Sequence, residues 1–158
     1  KKTVLVLKGS VREAYKEKIT VLARQFGAED FIQWIGIGPY EEIPRLTASC
    51  HAGLAVHLGS DNVSKTLGTA SNKIYEYAAS GLPVILYDNA QFKKYLEKYR
   101  WAFFTDGSAD SLMNIFEKII PHRKELAEQA RNDFEAALNF EKFFKPALQQ
   151  VLDEIQAA

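Results

Sequence analysis

The chain has 158 residues, enough for one domain with a real core and short of two ordinary domains. Its 20 Lys and Arg balance its 20 Asp and Glu, and with three neutral His the formal charge is zero, so neither a nucleic-acid groove nor an anionic membrane surface is its main target. A hydrophobic share of 47% excludes disorder, and the single cysteine, Cys50, cannot form an internal disulfide, which points to a reducing, cytoplasmic setting.

The opening KKTVLVLKGS reads as a strand and not as a signal peptide, because charge returns at Lys8 and no cleavage site follows. No apolar run approaches the roughly 18–20 residues that span a bilayer. Thr3 to Leu7 is the first predicted strand. Val11, Tyr15, Ile19, Leu22 and Phe26 recur at helical spacing and stop at Gly27, which predicts an amphipathic helix with a C-terminal glycine. Phe31 to Ile35 is the second strand, closed by Gly36-Ile37-Gly38-Pro39. A short helix follows over Glu41 to Cys50, with Pro44 in its first turn.

Gly53 to Leu58 is the third strand, and the polar loop Gly59 to Ala70 follows it. Ser71 to Ser80 reads as a helix capped by Ser71 or Thr69 and stopped by Gly81. Pro83 to Tyr87 is the fourth strand. Asn89 caps a helix carrying Phe92, Leu96 and Tyr99, and Ala102 to Thr105 is the fifth strand. The rest is helical, in three stripes: Leu112, Ile115, Phe116 and Ile119; Leu126, Ala130, Phe134 and Leu138; then Phe140 to Ile155, broken near Pro146. Phe140, Phe143 and Phe144 are expected to pack that last helix onto the sheet. Five strands alternating with helices give a doubly wound, Rossmann-like α/β domain with a parallel sheet and a helical C-terminal end. Function then belongs at the carboxyl ends of the strands.

Several chemistries drop out. There is no Walker sequence and no G-x-S-x-G elbow, and Gly36 and Gly38 lack the third glycine of a dinucleotide fingerprint. His51, His57 and His122 are too scattered for a metal set, so no metal site is expected. Tyr75, Tyr77, Tyr87 and Trp101 could be taken for a sugar platform, but at helical and strand spacing aromatics serve more often as core. What remains is the long 59–70 loop feeding a helix whose N-terminal amides suit a phosphate. Lys65 and Lys73 lie within reach of such an anion, and a carboxylate at Glu76 could accept two sugar hydroxyls. The plainer alternative leaves Ser71 as a simple cap and pairs Glu76 with Lys73 on a solvated surface.

SNKIYEYAASGLPVI matches the pattern S-x-K-x-x-E-Y-x-A-x-G-x-P-V-I, and FIQWIGIGPYEEIPRLTASCHAGLAVHL resembles a strand–glycine–helix–strand unit. Together with TVLVLKGS and the closing FEKFFKPALQQVL, this order resembles the C-terminal, nucleotide-sugar-binding half of glycosyltransferase family 4, of GT-B fold. The resemblance covers nearly the whole chain. It implies that Glu76 holds the ribose, that the backbone at Ser71 and Asn72 faces the diphosphate, and that Ile37 and Gly38 flank the base; Lys73 and Thr69 complete the expected donor-binding set. No metal or cofactor is implied, only a nucleoside-diphosphate sugar as donor.

The resemblance further implies transfer of a hexose-type sugar to a glycan or lipid-linked acceptor in bacterial polysaccharide synthesis, at the inner face of the membrane in the full-length protein. The family's first C-domain strand and its acceptor domain, which supplies the catalytic base, would precede Lys1. This segment alone would then be inactive, with open strand edges that invite pairing between copies. The last helix usually crosses to the other domain. One departure stands out: the acidic residue that opens the family's E-x7-E arrangement, eight positions before Glu76, is here Gly68. A non-catalytic α/β binding module and a GT-B sugar-nucleotide epimerase remain the alternatives.

Overall fold

A computed structural model describes residues 3–56 and 71–156, apart from the side chain of Phe143. The chain divides into two compact units, 1–43 and 44–158. All strand pairing in both is parallel, as the apolar strand runs and intervening helices require.

In the first unit β1 (Leu5–Lys8) pairs with β2 (Ile32–Ile35), Leu5 lying opposite Ile32 and Lys8 opposite Ile35. Helix α1 (Glu13–Gln25) joins them and leads into a 3-10 turn at Glu29–Phe31. The face of α1 that gains cover is not the expected stripe. Ala23 is buried and Lys16, Ile19 and Thr20 are half-buried, whereas Tyr15, Leu22 and Phe26 are exposed. A two-stranded sheet covers only a narrow strip of helix, and the small Ala23 allows the closest approach.

Helix α2 (Ile43–Ala48) carries Pro44 at its second residue, where the missing N–H has no intrahelical partner to lose. In the second unit β3 (Gly53–Ala55), β4 (Val84–Tyr87) and β5 (Ala102–Thr105) form a sheet in that order. β4 is central, and Val84, Ile85 and Leu86 are fully buried. Around it lie α3 (Asn72–Ala79), α4 (Ala90–Leu96), α5 (Ala109–Ile119) and α6 (Arg123–Asp133). They contribute Ile74, Ala78, Phe92, Leu96, Ile115, Ile119, Leu126 and Ala130 to one core. Asn89 Oδ1 accepts from the Phe92 N–H at 2.9 Å and Ser108 Oγ from the Ser111 N–H at 3.2 Å, so α4 and α5 start on working caps.

The C-terminal helices depart from expectation twice. A π-helical turn, Phe134–Leu138, follows α6, and α7 (Phe140–Gln156) runs through Pro146 without a break. Proline removes one i→i−4 bond there, to the carbonyl of exposed Lys142, which water can satisfy. Phe140 and Phe144 stack on each other with centroids 5.0 Å apart and are exposed, so they do not fix α7 to the sheet. The buried path ends at Leu138, and the α7 stripe of Leu148, Val151, Leu152 and Ile155 is exposed with them.

Gly53 and Gly81 are dictated by space. A Cβ on Gly53 would collide with the Tyr77 ring, which lies across the start of β3. Gly81 ends α3 with φ +69°, a conformation costly for any residue with a Cβ, and packs against the Ala127 carbonyl. Gly53→Ala should therefore destabilise the chain by about 1–3 kcal/mol through overpacking. Much of that loss should return in the Gly53→Ala/Tyr77→Ala double variant relative to Tyr77→Ala alone. Urea unfolding of the four proteins measures the coupling.

Candidate functional site

Two features fix the direction of α3. Its last turn passes through Gly81–Pro83 directly into β4, and Tyr77 lies over Gly53, the first residue of β3. The C-terminus of α3 is thus at the amino ends of the strands and its N-terminus at their carboxyl ends, where open α/β sheets bind ligands.

Ser71 occupies the N-cap position with extended backbone, φ −80° and ψ 110°, but its hydroxyl makes no capping bond. The expected cap by Ser71 is absent because its side chain belongs to the buried stripe formed with Ile74 and Ala78. The first-turn amides of α3 are therefore not taken by its cap residue, unlike those of α4 and α5. At 100° per residue Asn72, Lys73 and Glu76 share the opposite face, Asn72 and Lys73 exposed and Glu76 half-buried. Three of the sequence-designated residues, Asn72, Lys73 and Glu76, thus come together beside the helix start, while Ser71 is buried. Thr69 and Lys65, with the whole 57–70 segment, lie outside the described residues.

Ile37 and Gly38 lie in the first unit, in the turn after β2. Ile37 is 84% exposed. At the carboxyl ends of β1 and β2 the first unit has a cleft of about 280 Å³ lined by residues including Gly9, Ser10, Gly36 and Ile37.

Tyr77 lies at the other end of α3, over the start of β3. Burial raises its phenol pKa first, and the nearby charges of Glu76 and Cys50 raise it further. The folded state then keeps that proton after an unfolded chain, titrating near about pH 10, has lost it. Its contribution is complete below that pH and declines as pH rises through the folded value. Tyr77→Phe should flatten the alkaline loss of stability, measured as denaturation midpoints against pH.

Sequence reading missed two carboxylates at the ends of β4 and β5. Asp88 pairs with Lys93 at 2.7 Å. Asp106 is held below the usual carboxylate range by hydrogen bonds from the Ser108 hydroxyl and N–H. Their positions immediately after two apolar strands were the available signal. Trp101 is fully buried core and Tyr75 and Tyr77 pack against that core, so these three build no exposed sugar platform. Cys50 is half-buried, its thiol near the Leu46 carbonyl. Among the described residues no group of three or more His, Cys, Asp or Glu is placed to hold a metal, and no helix is long and apolar enough to cross a membrane.

The family profile described as Glycosyl transferases group 1 matches residues 1–135. The chain belongs to this family. The crystal structure of WaaG, described as a glycosyltransferase involved in lipopolysaccharide biosynthesis, has the same fold, with a TM-score of 0.64 at 20% identity. The match covers 92% of this chain and 37% of that one, so this group 1 chain spans little more than a third of the WaaG structure's length. No curated protein matches the sequence significantly. The Rossmann-like α/β fold and the assignment to a GT-B C-terminal domain agree with the resemblance in the SNKIYEYAASGLPVI segment.

Proposed function

We propose that this chain is the donor-binding half of a glycosyltransferase that moves a hexose-type sugar from a nucleoside diphosphate to a glycan or lipid-linked acceptor. The observation that carries the reading is the start of α3: first-turn amides unclaimed by Ser71, with Asn72, Lys73 and Glu76 on one face beside them. Oriented N–H groups and the positive end of the helix dipole stabilise a diphosphate in both the bound donor and the departing leaving group. Lys73 adds a full charge, and Glu76 accepts two ribose hydroxyls. Family membership supports transferase chemistry, and the likeness to a glycosyltransferase of lipopolysaccharide biosynthesis favours an acceptor of bacterial surface polysaccharide type. The catalytic base and the acceptor site belong to the N-terminal half that such enzymes carry.

A thermal-shift screen of the chain against four nucleoside diphosphates tests this. A ligand at a hundred times its dissociation constant adds about 2.7 kcal/mol, a shift of several degrees. Stabilisation by at least one nucleotide supports donor binding. Silence from all four favours a binding module of another kind.

A further inference from the structure

The core of the second unit stops at one residue. Leu138 is the last buried side chain among the described residues, and every described side chain of α7 beyond it is exposed. Asn139 stands between the two, its backbone extended at φ −84° and ψ 158°. Its side-chain amide serves both helical segments at once. Nδ2 donates to the Glu135 carbonyl at 2.9 Å and to the Phe134 carbonyl at 3.2 Å, which closes the π-helical turn. Oδ1 accepts from the Lys142 N–H at 3.0 Å, which caps the start of α7.

Different forces hold the two segments. The path up to Leu138 is fastened by burial of Ile115, Ile119, Leu126, Ala130 and Leu138 in the core around β4. α7 buries none of its described side chains, and its bonds from Gln149 to Asp153 and from Gln150 to Glu154 stay within one exposed helix. Its order therefore rests on local interactions set against the entropy of fixing its backbone. Isolated helices shorter than about 12–15 residues are marginal in water, and Pro146 takes one backbone bond from the 17 residues of α7. We infer that Asn139 is a joint between two separately cooperative parts: the body built on the β3–β5 sheet, and an α7 arm that melts and re-forms on its own. The Asn139 cap sets the helical fraction of the arm. The arm changes state without disturbing the sheet and helices that carry the α3 site.

Hydrogen–deuterium exchange of the full chain, followed peptide by peptide, tests the joint. Amides of α7 should exchange within about tenfold of an unstructured peptide, and those of Val84–Tyr87 at least about a hundredfold more slowly. Urea well below the main unfolding transition should erase the α7 protection and leave β4 protected. Asn139→Ala should erase it without urea, because losing a cap lowers a helix–coil equilibrium about fivefold. Asn139→Asp should retain it, since the carboxylate still accepts the Lys142 N–H. Protection of α7 that equals that of β4, or vanishes with it at one urea concentration, would make the two one cooperative body and overturn the inference. Equal effects of the two substitutions, or no effect of either, would take the cap away from Asn139 and overturn it too. Protection of α7 that rises with protein concentration would mean that a second copy orders the helix, and an arm that folds alone would be ruled out.

Discussion

Replacing Trp101 by alanine should remove about 3–5 kcal/mol of stability, a large share of the 5–15 kcal/mol typical of a domain. Trp101 is fully buried at the entrance to β5, and its carbonyl accepts the Val84 N–H at 2.8 Å. Its ring stacks on Tyr99 with centroids 5.1 Å apart, and its Nε1 donates to Asp133 Oδ2 at 2.9 Å. Truncation therefore opens a cavity next to the central strand and strips a half-buried carboxylate of its donor. Trp101→Phe fills most of the space but still loses the bond, and should cost about 1–2 kcal/mol. Urea denaturation followed by far-UV circular dichroism measures both. A loss under about 1 kcal/mol for the alanine variant would mean that the indole does not hold this part of the core.

Glu76→Ala should weaken nucleoside-diphosphate binding roughly ten- to hundredfold, the effect of losing charged hydrogen bonds worth about 1.5–3 kcal/mol. The expectation belongs to the donor reading, in which Glu76 accepts both ribose hydroxyls. Glu76→Gln keeps the shape and two-pronged geometry but not the charge, and should fall between the parent and the alanine variant. Inorganic pyrophosphate supplies the contrast, since it has no ribose and its affinity should not fall. Calorimetry with the cognate nucleotide and with pyrophosphate separates the cases. Equal affinities in parent and alanine variant would remove Glu76 from the site, and equal losses for both ligands would place it on the diphosphate.

Local signals in the sequence were strong where one interaction decides the outcome. Asn89 is a cap because a short amide side chain reaches the third N–H of α4, and Ala102–Thr105 is a strand with the bounds its residues suggest. Gly81 and Pro83 mark the end of α3 and the approach to β4 for the same reason. What failed depended on neighbours that spacing does not reveal. Tyr15, Leu22 and Phe26 have helical periodicity, yet the helix buries the quarter-turn carrying Ala23. Phe140 and Phe144 look like core by composition and find each other instead. Pro146 reads as a stop, but a single lost bond near exposed Lys142 leaves α7 continuous. At the candidate site the residue types were legible and the geometry was not. Asn72, Lys73 and Glu76 share a face by simple helical arithmetic, whereas the burial of Ser71 and its failure to cap are not announced by its residue type.

That the Ser71 hydroxyl does not cap α3 has a thermodynamic corollary. A working cap is worth about 1 kcal/mol to a helix, and Ser71 supplies none to α3. An anion settling on those amides would supply what the serine withholds, so its arrival would tighten the first turn as well as fill a site. Affinity and local order would then rise together, and the guest would complete the secondary structure of its host.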